Sequence, residues 1–259
     1  MTKYDFSLSE EQIAVFTGLT WENIIQLRDM MISMRNSENR NVTQALVVFL
    51  FKLRSGNSNK LIASILQLEY EQQVSNFCES VIKFFEKDIL PLHFGVQACS
   101  RDDLIHNQIS VYINKLYGTE NQLAIICDGS YIRYQKSSNN EYQRKSYSRQ
   151  KKVPLCKPFT ICTTNGFVID VPGPFHVTQN DAQILKIILS DLNDLNSILK
   201  KSDIFILDRG FRNVKKFLEN EDYRVLISAL KGNCSQLTTQ DSNESRLVTK
   251  VGSLKLCMG

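Results

Sequence analysis

Residues 124–134 read AIICDGSYIRY: four apolar residues run into Asp128, and a glycine, a serine and a tyrosine follow. The run has the length and composition of a short buried strand, and a carboxylate at its end is costly to bury without a partner. Residues 204–211, IFILDRGF, repeat the pattern, with Asp208 closing a second apolar run ahead of Gly210. If the two strands are neighbours, both acids reach one edge of a sheet, where open α/β folds place their ligands. Two like charges held that close resist ionising unless a cation lies between them, and carboxylate oxygen suits Mg2+ or Mn2+. A pair of such ions about 3.5–4 Å apart activates an attacking oxygen and stabilises the leaving oxygen of a phosphodiester. The plainer reading of the same residues is two strand-end turn formers with no common role.

Outward from this pair the chain shows two periods. After Gly118 come strand-like runs, LAIICDGSYIRY, PFTICTTNG and GFVIDVPGPF, with Asn165-Gly166 as a hairpin turn. A helix follows over NDAQILKIILSDLNDLNSIL, then the run SDIFILD, a helix over RNVKKFLENED and a last strand, YRVLISAL. Three antiparallel strands followed by alternating helices and parallel strands predict a mixed α/β sheet with helices on its faces. The first hundred residues have helix period instead. Gly18 and Gly56 read as helix stops, Thr20 and Thr43 as N-caps, and Ser58 or Asn59 as the cap of a helix over Lys60–Leu66. A longer helix is predicted from about Gln72 to Lys87, before Pro91. These last two are readable as a helix-turn-helix or as an ordinary helical hairpin. The predicted division is therefore a helical, DNA-binding domain over 1–100, a linker helix over 101–122 and a sheet domain over 123–259.

Composition narrows the class. With 42% hydrophobic residues, 22% charged and five prolines in 259, the chain should be globular and largely ordered. No apolar stretch reaches the roughly 18 residues of a membrane-spanning helix, and the start, MTKYDFSLSEEQ, lacks the features of a secretory signal. Seven cysteines without a CxxC pair fit free thiols in a reducing compartment better than a zinc site. The net charge of +4 is unevenly spread. From residue 133 to 157, Arg133, Lys136, Arg144, Lys145, Arg149, Lys151, Lys152 and Lys157 stand against Glu141 alone, a net +7. Such a run is either a solvated loop or a phosphate-binding ribbon, and the interleaved Tyr134, Tyr142 and Tyr147 favour nucleic acid.

CDGSYIRYQ, NEYQRKSYSRQKKVPLCKP, GPF with NDAQIL, LDRGFRN and QLTTQDSNESRLVTK together resemble a Harbinger-type DDE transposase-derived endonuclease, over about Leu123 to Val251. The resemblance implies an RNase H-like fold and divalent-metal-dependent cutting or joining of DNA, with Mg2+ or Mn2+ as cofactor and the nucleus as the place of action. Asp128 matches the family's first catalytic acid and metal ligand, and Asp208 the second. Asp181 matches a frequent further acid, although its position also suits a helix N-terminal cap. The family's catalytic glutamate lies a few residues beyond the segment matching RLVTKV. Here the sequence ends VGSLKLCMG, and no acid follows Glu244. This reads as a truncation before the third acid, with Glu244 or Asp241 as distant substitutes. The leading expectation is a metal-dependent DNA nuclease or strand-transfer domain impaired in catalysis. The alternative is a non-catalytic DNA-binding protein that keeps the fold. An interaction protein with no DNA role would leave the basic run and the paired aspartates without a purpose.

Overall fold

Ser9, Thr20, Asn41 and Ser58 each sit in extended backbone just ahead of a helix and accept a hydrogen bond from the amide three residues on, at 3.1–3.3 Å. They start α1 (Glu10–Thr17), α2 (Trp21–Met30), α3 (Val42–Ser55) and α4 (Asn59–Ile65) in this computed structural model. Asn41, not Thr43, caps α3. The helix has already begun at Val42, so Thr43 lies inside its first turn. Gly18 and Gly56 close α1 and α3 in the left-handed region, at φ +79° and +63°, as their positions predict. The structure describes residues 8–228, except 39, 110, 112, 113, 116–120 and 192, together with Arg246.

The chain divides into two units, Met1–His93 and Phe94–Gly259. In the first, α5 (Gln72–Asp88) turns Val74, Phe77 and Val81 into a core shared with Ile24, Leu46, Val48 and Ile62. The short α6 (Leu90–His93) follows, with Pro91 in its first turn, where a missing N–H costs little. Asn59 Nδ2 donates to Ser75 Oγ at 2.8 Å and so ties the start of α4 to α5.

The second unit begins before the predicted boundary. Helix α7 (Arg101–Gln108), capped by Ser100, buries Leu104 and Ile105 in the sheet domain's core. What the sequence suggests as a linker helix over 101–122 therefore starts as part of that core, and the division falls at His93/Phe94. The strands are β1 (Ala124–Gly129), β2 (Ile132–Arg133), β3 (Tyr147–Ser148), β4 (Val153–Lys157), β5 (Phe159–Thr163), β6 (Val168–Asp170), β7 (Phe175–His176), β8 (Ile204–Leu207) and β9 (Arg224–Ile227). Helix α8 (Asn140–Ser146) lies between β2 and β3, α9 (Asp181–Asp191) and α10 (Asn193–Ile198) between β7 and β8, and α11 (Lys215–Asn220) before β9.

Five strands form the main sheet in the order β6-β5-β1-β8-β9. The first three run antiparallel, and β8 and β9 run parallel to β1. This is the mixed sheet that the order of runs in the sequence predicts. Ala124 to Cys127 are all buried, so both faces of β1 are covered, which explains why the strand reads as a continuous apolar run. Gly166 takes φ +88° in the β5–β6 turn, and Asn165-Gly166 is the hairpin turn the dipeptide signals.

Asp203, fully buried at the head of β8, fixes the parallel pair. Its carboxylate accepts from both terminal nitrogens of Arg101 (2.6 and 2.7 Å) and from the amides of Leu123 (2.9 Å) and Lys200 (2.7 Å). Removing one partner of such a pair strands a buried charge. Asp203→Ala is expected to cost about 3–5 kcal/mol in urea denaturation. A loss no larger than that of a surface substitution, within about 0.5 kcal/mol, would show that the pair does not anchor the sheet.

Candidate functional site

Strand β1 pairs with β8 in the register Ala124–Ile204, Ile125–Phe205 and Ile126–Ile206. Continued by two residues, that register sets Asp128 across from Asp208. The two aspartates thus follow the same end of one parallel pair, whose strands lie about 4.8 Å apart. Asp128 is half-buried and Asp208 exposed. Asp208 also caps the 3-10 turn Arg209–Val214, accepting from the Gly210 amide at 2.7 Å through Oδ1. The turn-forming reading of this residue is thus true of one oxygen and leaves the other for a second partner. The donor set, two carboxylates on neighbouring strand ends, suits a hard divalent cation. Among the described residues no cluster of three or more histidine, cysteine or acidic side chains is placed to hold a metal ion. Glu244 and Asp241 lie outside the described residues.

Asp181 has a different environment from the one its position in the sequence suggests. Asn180, not Asp181, caps α9: Gln183 N donates to Asn180 Oδ1 at 2.8 Å, and Asn180 N donates to Gln183 Oε1 at 3.1 Å. This is a reciprocal capping box, legible afterwards in the spacing of Asn180 and Gln183. Asp181, in the first turn, instead lies 3.1 Å from Lys157 Nζ. The two are within ion-pair distance but out of line for a hydrogen bond, so Asp181 Oδ1 is buried without a hydrogen-bond partner. Its carboxylate packs against the strand end. A Cβ added to Gly129 would collide with Asp181 Oδ1 and come within 2.9 Å of Lys157 Cδ. Strand alternation puts that side of Gly129 on the face opposite the Asp128 side chain.

The basic run is built on the same hairpin. Pairs Gly129–Phe159 and Ile132–Cys156 belong to one antiparallel register, so β1–β2 and β5–β4 are two halves of a single long hairpin, interrupted at Ser130 and Pro158. Beyond the interruption β4 is flanked by β2, β3 and β7. Arg133, Lys136, Arg144, Lys145, Arg149, Lys151 and Lys152 are all exposed there. Arg144 and Lys145 stand on α8, which Asn139 caps, and Arg149, Lys151 and Lys152 on the tight β3–β4 turn, where Lys152 takes φ +55°. Lys145 pairs with Glu141 at 2.8 Å, and this hydrogen bond holds the Glu141 carboxyl below the usual range. Lys157 departs from the expected ribbon. It is 2% exposed, because it shares a strand face with the buried Leu155 two residues before it. That period-two signal is present in the sequence, and the charge count hides it.

The family to which the sequence is similar agrees with this geometry. Residues 120–252, more than half of the chain, match the family described as a transposase DDE domain. The chain belongs to the transposase DDE-domain family. Asp128 and Asp208 both lie in the matched span, and domains of this family generally use divalent metal ions. Among solved structures, the Mos1 strand transfer complex is similar over 97% of this chain and 97% of that one, at 12% identity and a TM-score of 0.31. No curated protein matches the sequence at a significant level. Among the described residues no helix is long and apolar enough to cross a membrane.

The close approach at Gly129 is directly testable. Gly129→Ala adds a methyl group where Asp181 Oδ1 already sits and is expected to destabilise by about 1–3 kcal/mol, the usual cost of overpacking. In an Asp181→Ala background the same substitution should cost much less. Equal costs in the two backgrounds would mean that strand and carboxylate do not touch.

Proposed function

We propose that this chain is a Harbinger-type, metal-dependent DNA-processing domain acting on phosphodiester bonds, with Asp128 and Asp208 as its catalytic acids. The observation that supports the reading is the register of β1 and β8, which, continued by two residues, would set the two chain-distant aspartates level. Asp128 and Asp208 would hold a divalent cation, Mg2+ or Mn2+, and such an ion supplies Lewis acidity toward a phosphodiester oxygen. The seven exposed basic residues beside that strand end would bind the phosphate backbone and bring a duplex to the two acids. Their contacts would give affinity and position rather than base choice. In the helical unit, α4, the turn after it and the start of α5 with Gln72, Gln73 and Ser75 would offer a helix-turn-helix surface for DNA. The place of action would be the nucleus.

The charge distribution bears on both binding and cleavage. Replacing Arg144, Lys145, Lys151 and Lys152 by alanine should weaken binding to any duplex. It should also lower the slope of log affinity against log salt by about 0.9 for each phosphate that is no longer neutralised. Filter binding across a salt series measures both, and an unchanged slope would reduce the segment to a solvated surface. In cleavage, Asp128 and Asp208 would clamp the cation that polarises the phosphodiester. Removing one strong electrostatic interaction from such a clamp typically costs on the order of 100- to 1000-fold in rate. Plasmid nicking in Mg2+ or Mn2+ is therefore expected to fall by at least that factor in Asp128→Ala. Nicking that survives Asp128→Ala overturns the assignment of the acid. Salt-dependent binding with no nicking at all leaves a DNA-binding protein on a transposase fold.

A further inference from the structure

Lys157 is buried, charged and given no task by the reading above. Its ammonium donates to the Gln179 carbonyl at 2.8 Å, lies 3.1 Å from Asp181 Oδ1 and stands 4.9 Å from the centroid of the Tyr131 ring. Continued through the interruption, the long hairpin's register sets Lys157 across from Tyr131, which accounts for the approach to the ring. Each partner therefore belongs either to the turn that follows Asp128 or to the segment that starts α9. An ammonium taken out of water needs such compensation, and once compensated it fixes geometry more than it adds net stability.

The strand end needs fixing. The β1–β8 ladder runs to Ile126–Ile206, and beyond it Asp128 and Gly129 are paired to Thr160 and Phe159 of β5 on the other side. A Cβ on Gly129 would run into Asp181 Oδ1 and Lys157 Cδ, so the ion pair is packed directly behind the residue after Asp128. We propose that Lys157 is a positioning residue. Paired with Asp181, it clamps the end of β1 from the face opposite the Asp128 side chain and holds that carboxylate at a spacing from Asp208 that one divalent cation can bridge. The inference rests on Asp128 and Asp208 being metal ligands, and it assigns Asp181 to Lys157 and not to the metal.

The test is Mn2+ binding to the 259-residue protein, followed by electron paramagnetic resonance well below the melting temperature. Wild type should bind Mn2+, and Asp128→Ala should lose it. The double variant Lys157→Met/Asp181→Asn leaves no unpaired buried charge, and its fold is checked by circular dichroism. Its Mn2+ affinity is expected to fall about 10- to 100-fold, the usual effect of losing a group that orients a ligand. Gly129→Ala, which pushes on the same clamp from the strand side, should weaken binding in the same direction. An unchanged affinity in either folded variant overturns the positioning role and leaves the metal site standing. Tighter binding in Lys157→Met alone would mean that the lysine had been holding Asp181 away from the metal, which also overturns it. Wild-type protein without Asp128-dependent Mn2+ binding overturns the metal site, and this inference with it.

Discussion

The Asp203 carboxylate sits with no exposed surface at the head of β8 and is surrounded by donors from three other places in the chain. Arg101 reaches it from α7, the Leu123 amide from the edge of β1, and the Lys200 amide from the loop after α10. The Ile198 carbonyl takes a further bond from the same arginine at 2.7 Å. A carboxylate with all its lone-pair positions engaged is satisfied despite burial, whereas a partly satisfied one would be among the most costly groups in the core. What this arrangement secures is register. Leu123 and Asp203 are bonded at one end of the parallel pair, and Asp128 and Asp208 stand the same number of steps further along each strand. Locking one end therefore brings the two acids level at the other.

The opposite end of the same strands is organised by a second buried charge, Lys157, and the two differ in kind. Asp203 is held by hydrogen bonds in line with its oxygens. Lys157 holds one carbonyl, approaches one carboxylate out of line and rests against an aromatic ring. Between them lies β1, buried on both faces, so a displacement at either end is passed along a stiff element and not absorbed. Past the interruption at Ser130 and Pro158 the hairpin leaves the core. Its outer half is a small, highly charged sheet with exposed tyrosines and lysines, among them Lys151 at 4.9 Å from the Tyr131 ring. One hairpin thus carries a candidate acid and the candidate phosphate-binding surface.

Much of this is legible in the residue order because it is set by local physics. Alternation and apolar runs mark β1, β5, β8 and β9, glycines at positive φ mark the helix and hairpin ends, and the change of period near residue 120 separates helices from sheet. The two aspartates are visible as strand-end acids. Sequence reading goes astray where a local signal competes with a contact far along the chain. Lys157 reads as one more exposed cation because its charge outweighs the strand period that buries it. Asp181 reads as a cap because acids favour helix starts, while Asn180 is better placed one residue earlier. Sequence alone determined the runs of the main sheet, the order of the helices around them and the chemistry at their ends, since these follow from backbone propensity and the cost of burial. The small sheet around β4 and the helix Asn140–Ser146, by contrast, lie hidden in the basic run. Tertiary structure alone decided what each carboxylate faces. Strand register sets Asp128 level with Asp208, and packing behind Gly129 sets Asp181 against Lys157; no property of a single residue encodes either.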